Sequence, residues 1–194
     1  MASERLYGLV AEDLRIEKVL RVVIPRIIPQ PCQIEARVSN RKIALIRDFH
    51  KSLLEFKFRS SAMYKALVIC DADRDAADAL EQELQTKLSQ NPKLSGLPFP
   101  VKFHAIRTEL ETWLLADSDA LSRVIGHDVA SLGGNLETLQ NAKEKLIKIL
   151  QQHRNMYPPS LATEIARSMS LDILRNRCPG FQAFELKTQN GPLG

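Results

Sequence analysis

An apolar run followed by alternating aspartates most constrains what this chain can fold into. The run lies in Y-K-A-L-V-I-C-D-A-D-R-D, from Tyr64 to Asp75, and residues 66–70 within it are all small or apolar. Such a run, with two β-branched side chains, is typical of a strand that is buried on both faces of a parallel sheet. Parallel α/β folds bind their ligands at the carboxyl edge of the sheet. The aspartates after residue 70 therefore predict a functional site at the end of this strand.

The three aspartates of this segment have two different interpretations. Asp71 and Asp73 are two residues apart, so in an extended segment their side chains point to the same side and can share one hard cation. Asp75 is followed three residues later by Asp78, a spacing typical of the first turn of a helix. We therefore predict a metal site at Asp71 and Asp73 and a helix cap at Asp75.

The chain alternates strand and helix patterns up to Gly126. Strands are predicted at 5–11, 33–38, 66–70 and 101–106, and helices begin near residues 14, 42, 75 and 109. This alternation predicts an α/β fold with a mostly parallel four-stranded sheet flanked by helices. Beyond Gly126 only helical patterns follow, so we divide the chain into an α/β domain, residues 1–126, and a helical carboxyl-terminal lobe, residues 127–194, packed on it as one structural unit. Trp113, Phe181 and Phe184 lie at helical spacing and are expected to anchor the core of this lobe.

A glutamate at the end of the first strand extends the predicted acidic site. Glu12 follows strand 5–11 as Asp71 follows the third strand, so the two carboxylates converge if these strands are neighbours. One glutamate and two aspartates offer the hard oxygen ligands that Mg²⁺ or Mn²⁺ prefers. Glu109, just after the fourth strand, is a candidate further ligand or base. Glu111 is better interpreted as a first-turn glutamate favoured by the helix dipole.

Three basic residues are candidates for stabilising a phosphate at such a site. They are Arg74 inside the acidic loop, Arg107 beside Glu109, and Lys143 in N-A-K-E-K. A carboxylate-held Mg²⁺ is suited to phosphoryl transfer, in which a protein cation often helps. Each of these residues is equally well explained as a solvated surface charge.

Composition limits the location and the partners of the protein. No apolar run approaches the length of about 20 residues that spans a bilayer, and no signal-peptide pattern is present. Three widely spaced cysteines are typical of reduced thiols, so we expect a cytoplasmic protein without a membrane partner. The net charge of +4 permits a DNA or RNA partner. The sequence contains no phosphate-binding loop motif of an NTPase.

The acidic pattern and four longer blocks resemble known families. Glutamate at the end of a first strand, with D-x-D at the end of a later one, resembles the TOPRIM pattern of topoisomerases, bacterial primases and nucleases. The whole chain resembles the bacterial domain-of-unknown-function family four-two-seven-six. The blocks are V-A-E-D-L-R-I-E-K-V-L (Val10 to Leu20), V-I-C-D-A-D-R-D (Val68 to Asp75), E-L-E-T-W-L-L-A-D (Glu109 to Asp117) and L-R-N-R-C-P-G-F-Q-A-F (Leu174 to Phe184).

The resemblance implies a TOPRIM-like fold and a metal site carried by Glu12, Asp71 and Asp73. One position departs from the TOPRIM pattern, since Asp13 stands where glycine usually follows the glutamate. Asp13 either supplies another ligand or marks a degraded site, and the sequence leaves both interpretations open.

These observations predict a Mg²⁺- or Mn²⁺-dependent nuclease, with two alternatives. The first is a non-catalytic subunit that binds nucleic acid or a companion ATPase, which the resemblance places in a bacterial defence or conflict system. The second is a phosphatase in which Asp71 attacks phosphorus and Asp73 is the acid. The phosphatase pattern lacks its usual threonine or valine at the position of Asp75 and leaves Glu12 without a function. The sequence does not indicate an oligomeric state.

Overall fold

The computed structural model describes residues 4–59 and 63–189, apart from the side chain of residue 59. Within these residues, four strands form one sheet in which every neighbouring pair is parallel. The strands are β1 (Arg5–Ala11), β2 (Cys32–Val38), β3 (Met63–Asp71) and β4 (Val101–Ile106). Their order across the sheet is β2-β1-β3-β4, which places β1 and β3 side by side at its centre. The predicted α/β class is confirmed, and the architecture is consistent with a TOPRIM-like fold.

The helices occupy nearly the predicted positions. They are α1 (Leu14–Ile27), α2 (Lys42–Arg59), α3 (Ala77–Gln90), α4 (Glu111–Leu114), α5 (Ser118–Ile125), α6 (Ala142–Gln152), α7 (Pro159–Ser168), α8 (Leu171–Arg177) and α9 (Pro179–Gln189). Asp13 caps α1, because its Oδ1 accepts a hydrogen bond of 2.9 Å from the backbone N–H of Ile16. Asp117 caps α5 in the same way through the N–H of Ala120. Asp13 therefore has a structural role at the position where TOPRIM proteins usually carry glycine.

The two faces of the sheet are covered by different helices because alternate residues of a strand point to opposite sides. Leu67 and Ile69 of β3 contribute to a core that also contains apolar side chains of α1 and of the carboxyl-terminal helices. Val68 and Cys70 contribute to a second core, which α2 and α3 cover. The helices after Gly126 therefore share a continuous core with α1 and the sheet. The division at residue 126 stays a prediction, and residues 190–194 at the end of the predicted lobe lie outside the described residues.

Three aromatic side chains join the carboxyl-terminal helices to the sheet. Trp113 is fully buried, and its ring centroid lies 5.0 Å from that of Phe181 and 5.4 Å from that of Phe184. The buried ring of His104 on β4 lies 5.3 Å from Phe184. Edge and tilted contacts of this kind stabilise the core in addition to the burial of the rings' apolar surface. The prediction that Trp113, Phe181 and Phe184 are core anchors is confirmed.

A glycine on β1 allows α2 to approach the sheet closely. A Cβ atom at Gly8 would lie 2.9 Å from the ring of Phe56 and 2.8 Å from the sulfur of Met63. Both neighbours are buried, so neither has room to move away. Any larger residue at position 8 would therefore displace α2 from β1.

None of the helices in residues 4–59 and 63–189 combines the length and the apolar character that crossing a membrane requires.

Candidate functional site

The parallel pairing of β1 with β3 brings Glu12 and Asp71 together at the carboxyl edge of the sheet. Ala11 lies opposite Ile69 in the register, and the N–H of Glu12 continues the ladder by donating to the Ile69 carbonyl at 3.0 Å. The Oε2 atom of Glu12 then accepts a hydrogen bond of 3.1 Å from the backbone N–H of Asp71. The side chain of Glu12, which follows β1, is thus held by the backbone of Asp71, at the end of β3.

Asp71 is the centre of this acidic edge. Its Oδ1 atom accepts a hydrogen bond of 2.9 Å from the backbone N–H of Leu110, in the segment that follows β4. Burial raises the pKa of Asp71 well above its ordinary value, and the charges of Glu111 and Glu12 raise it further. Burial also raises the pKa of Glu12, although its hydrogen bond from the Asp71 amide opposes the change. Both shifts come mainly from burial, and the charges of neighbouring carboxylates add to them.

Glu111 is a member of the acidic edge, although the sequence favoured a place in the first turn of a helix for it over a role as a ligand or base. It does stand in the first turn of α4, but its side chain is buried, with 3% exposed. Its Oε1 atom accepts a hydrogen bond of 2.9 Å from the hydroxyl of Tyr157, and burial raises the pKa of Glu111. The apolar residues on both sides of it in L-E-T-W-L were a signal that this glutamate is enclosed.

Asp73 does not continue the strand, contrary to the expectation that Asp71 and Asp73 lie in one extended segment. The strand ends at Asp71, and Asp73 adopts a left-handed backbone conformation with φ of 53°. Its N–H donates to the Thr108 carbonyl at 2.7 Å, so the backbone turns toward the loop after β4. The carboxylate of Asp73 instead lies 2.5 Å from the ammonium of Lys42.

Lys42 is a site residue that the sequence argument missed. It begins α2, and its ammonium contacts Asp73, Asp75 at 3.1 Å and the carbonyl of Ala72 at 3.0 Å. Burial lowers the pKa of Lys42, but its hydrogen bonds to Asp73 and Asp75 outweigh burial and raise it overall. No local pattern links this lysine to a loop 30 residues later in the chain.

The predicted cap at Asp75 is wrong. Helix α3 starts at Ala77, and its N-cap residue, Ala76, makes no side-chain capping hydrogen bond. The carboxylate of Asp75 forms an ion pair with the ammonium of Lys42 across the loop instead of a capping hydrogen bond to α3. Two of the three loop aspartates therefore hold the start of α2 against the acidic loop.

Glu109 and Arg74 line a cleft of about 190 Å³ next to Asp73. The Oε2 atom of Glu109 accepts a hydrogen bond of 2.9 Å from the backbone N–H of Lys143 at the start of α6. Arg74 is exposed. Burial raises the pKa of Glu111, and the positive charge of Lys143 partly opposes that rise. Arg107 lies farther along the edge, 3.6 Å from Asp78. The loops after β3 and β4 therefore combine the acidic edge with nearby positive charge.

One family model matches most of the chain. It is described as Domain of unknown function (DUF4276), and it matches residues 15–187. The chain belongs to this family. The match includes Asp71, Asp73 and Glu111, whereas Glu12 lies just before it. No curated protein and no solved structure matches the chain. The relation of this family to TOPRIM proteins stays a prediction.

The donor set of this family member fits a divalent cation held by two carboxylates. Among residues 4–59 and 63–189, no three His, Cys, Asp or Glu side chains converge closely enough to surround one ion. Mg²⁺, however, usually keeps several waters and binds one or two carboxylates together with substrate phosphate. Glu12 and Asp71 provide such a pair, and within the described part of the chain only backbone amides donate to their carboxylates. Asp73, whose charge acts on Glu12, is paired with Lys42.

Proposed function

We propose that this protein hydrolyses phosphodiester bonds of nucleic acids with Mg²⁺ or Mn²⁺ bound at the carboxyl edge of the sheet. The observation that carries the proposal is the pairing of Glu12 with Asp71, two carboxylates with raised pKa values and backbone amides as their hydrogen-bond donors. Clustered, partly buried negative charge is unfavourable unless a cation balances it. A divalent ion supplies that balance and is the ligand that the oxygen donors prefer.

Each side chain at the edge has a role that follows from its surroundings. Glu12 and Asp71 bind the ion, since each keeps one carboxylate oxygen that accepts no hydrogen bond from a described residue. Glu111, fixed by the Tyr157 hydroxyl, adds negative charge that strengthens binding of a cation. The bound ion would polarise a phosphate and activate a water molecule for attack on phosphorus.

Basic groups around the edge support a phosphate-bearing substrate. Arg74 lies in the acidic loop itself, and Arg107 follows β4, where 52% of its side chain is exposed. Both face a cleft of about 480 Å³ that also includes Thr108 and Gln140. A nucleic acid whose scissile phosphate occupies the acidic edge would place neighbouring phosphates near these arginines. Phosphate contacts of this kind supply affinity without reading sequence.

A non-catalytic subunit is the second candidate function. It is favoured by the ion pair of Asp73 with Lys42, and by the absence of three convergent metal-ligand side chains in the described part of the chain. In that case the edge would bind a cation or a partner, such as nucleic acid or a companion ATPase, without cleavage. The phosphatase alternative gains no support from the geometry, because Asp73, its proposed acid, faces Lys42 instead of Asp71.

Cleavage assays with matched variants test the proposal. Purified protein is incubated with supercoiled plasmid, single-stranded DNA or RNA, in the presence of Mg²⁺, Mn²⁺ or a chelator. We expect metal-dependent cleavage that Asp71→Asn and Glu12→Gln each reduce by about 100-fold or more, since each removes a ligand of the ion. Asp128→Asn and Glu83→Gln change exposed carboxylates elsewhere and should retain full activity.

Titration calorimetry with Mn²⁺ separates the two candidates. Metal binding that Asp71→Asn abolishes, without cleavage of any substrate, would support the non-catalytic subunit. Absence of both binding and cleavage would refute the metal site itself.

A further inference from the structure

A groove on α2 lies away from the acidic edge. It has a volume of about 750 Å³ and lies between α2 and the end of α3. Its apolar side chains are Ile43, Ile46 and Phe49, and its basic and imidazole side chains are Arg47, His50 and Lys87. Ile43 is 79% exposed, which is unusual for a large aliphatic side chain beside a buried aromatic ring. We call this feature the α2 groove.

The apolar surface continues along α2 beyond the groove. Ile43, Leu54 and Phe58 lie at helical spacing along one side, with Arg47 and His50 between them. Phe58 is 82% exposed, whereas Leu54 is partly buried against the core. This stripe is about 22 Å long, since Phe58 follows Ile43 by 15 residues and each residue adds a rise of about 1.5 Å. The opposite side of α2, with Leu45, Leu53 and Phe56, is buried against the sheet. Helix α2 therefore has a second side on which exposed apolar and basic side chains alternate over a length greater than that of a compact small molecule.

The charge around the α2 groove is positive. No Asp or Glu is among the described residues that line it. Asp48, next to the residues that line the groove, forms ion pairs with Arg47 at 2.6 Å and with Lys51 at 2.8 Å. One negative and two positive side chains leave a net positive charge there. The whole of α2 carries five basic and two acidic residues. An apolar stripe in a basic surrounding is complementary to an apolar stripe in an acidic one.

We propose that the α2 groove binds an acidic amphipathic helix of a partner protein. The partner helix would lie between α2 and α3. Its apolar residues, at positions i, i+3 and i+7, would contact Ile43, Ile46 and the stripe of this protein, as in other helix-in-groove complexes. Its acidic residues would face Arg47, His50 and Lys87. This inference rests on charge and shape alone and does not depend on the metal site.

A display selection tests which helices the groove prefers. The library consists of amphipathic helices of about 16 residues, which match the length of the stripe, with leucine at the apolar positions and Glu, Lys, Gln or Ser at the others. The full-length protein is the bait, and selected peptides are then synthesised and measured by fluorescence anisotropy. We expect enrichment of glutamate-rich helices, whose binding weakens as salt is added.

Two variants of exposed residues localise the binding. Ile43→Ser should weaken the selected peptides by roughly tenfold, a loss typical of a central interface residue. Met156→Ser is the matched control, because Met156 is 84% exposed and lies outside the groove. Enrichment of lysine-rich or neutral helices, no selected binder at all, or equal binding by Ile43→Ser would overturn the proposal. It would equally be overturned if vesicles of anionic phospholipid bound to the groove and the acidic peptides did not.

Discussion

Replacing Asp71 by asparagine should stabilise the metal-free protein while it removes the proposed metal ligand. Asparagine keeps an oxygen for the Leu110 amide, whose hydrogen bond to Asp71 measures 2.9 Å. It also removes a charge that is disfavoured by burial and by the neighbouring Glu111 and Glu12. A buried polar group without its full complement of partners costs about 1–3 kcal/mol, and more when it is charged. We therefore expect Asp71→Asn to raise the free energy of unfolding by about 1–3 kcal/mol at neutral pH.

Thermal unfolding in a chelator and in Mn²⁺ measures both effects. In a chelator, the Tm of Asp71→Asn should exceed that of the wild type by about 2–4 °C for each kcal/mol. Added Mn²⁺ should raise the Tm of the wild type, because a ligand at 100 times its Kd stabilises by about 2.7 kcal/mol. The Tm of Asp71→Asn should not respond to Mn²⁺. Asp128→Asn, which changes an exposed aspartate, should behave as the wild type in both conditions.

The pH dependence of this stabilisation has a defined sign. The pKa of Asp71 in the folded protein lies above its ordinary value of 3.8, so the folded state binds this proton more tightly than the unfolded state. Protonated Asp71 therefore contributes stability in acid, and the wild type loses that contribution as pH rises from about 4 through the raised pKa. The advantage of Asp71→Asn should be absent in acid and should grow toward neutral pH. A lower Tm for Asp71→Asn in a chelator at neutral pH would refute the reasoning that charge is unbalanced at this edge.

Three further predictions address the loops and the packing around the site. Lys42→Met frees the two aspartates that its ammonium holds, so we expect tighter Mn²⁺ binding by calorimetry; unchanged affinity would show that neither aspartate joins the ion. Gly180→Ala should lower the free energy of unfolding by about 1–3 kcal/mol in urea titrations, because its Cβ would lie 2.6 Å from Oε1 of the buried Glu137. In a Gly180→Ala, Glu137→Ala double variant the loss of unfolding free energy should be smaller than the sum of the two single losses. Additive losses would show that the Gly180→Ala strain does not arise from contact with Glu137. Glu81 pairs with Lys187 at 2.5 Å. Burial raises the pKa of Glu81, but the nearby His104 ring, Lys187 and the hydrogen bond from the Ala105 amide lower it to about 2. The wild type should therefore lose stability relative to Glu81→Gln as pH falls from about 4.5 toward 2, and parallel Tm–pH curves would contradict this.

The sequence by itself determined the sheet and the position of Glu12 and Asp71 on it. Apolar strands β1 and β3 that are buried on both faces, separated by amphipathic helices, leave few arrangements other than a parallel sheet. Because all strands of such a sheet run the same way, residues that follow β1 and β3 must lie at the same edge. The convergence of Glu12 and Asp71 required only that the two strands be neighbours, and they are.

The tertiary structure alone decided which other groups join this edge. The backbone turns at Asp73 through a left-handed conformation, and this turn directs its carboxylate to Lys42, 31 residues earlier in the chain. The short helix α4 packs within the core and encloses Glu111, where Tyr157 reaches it from the segment between α6 and α7. Sequence periodicity reports which face of an element is buried. It does not report which distant charged group meets another, because that depends on how loops turn and on how whole elements pack.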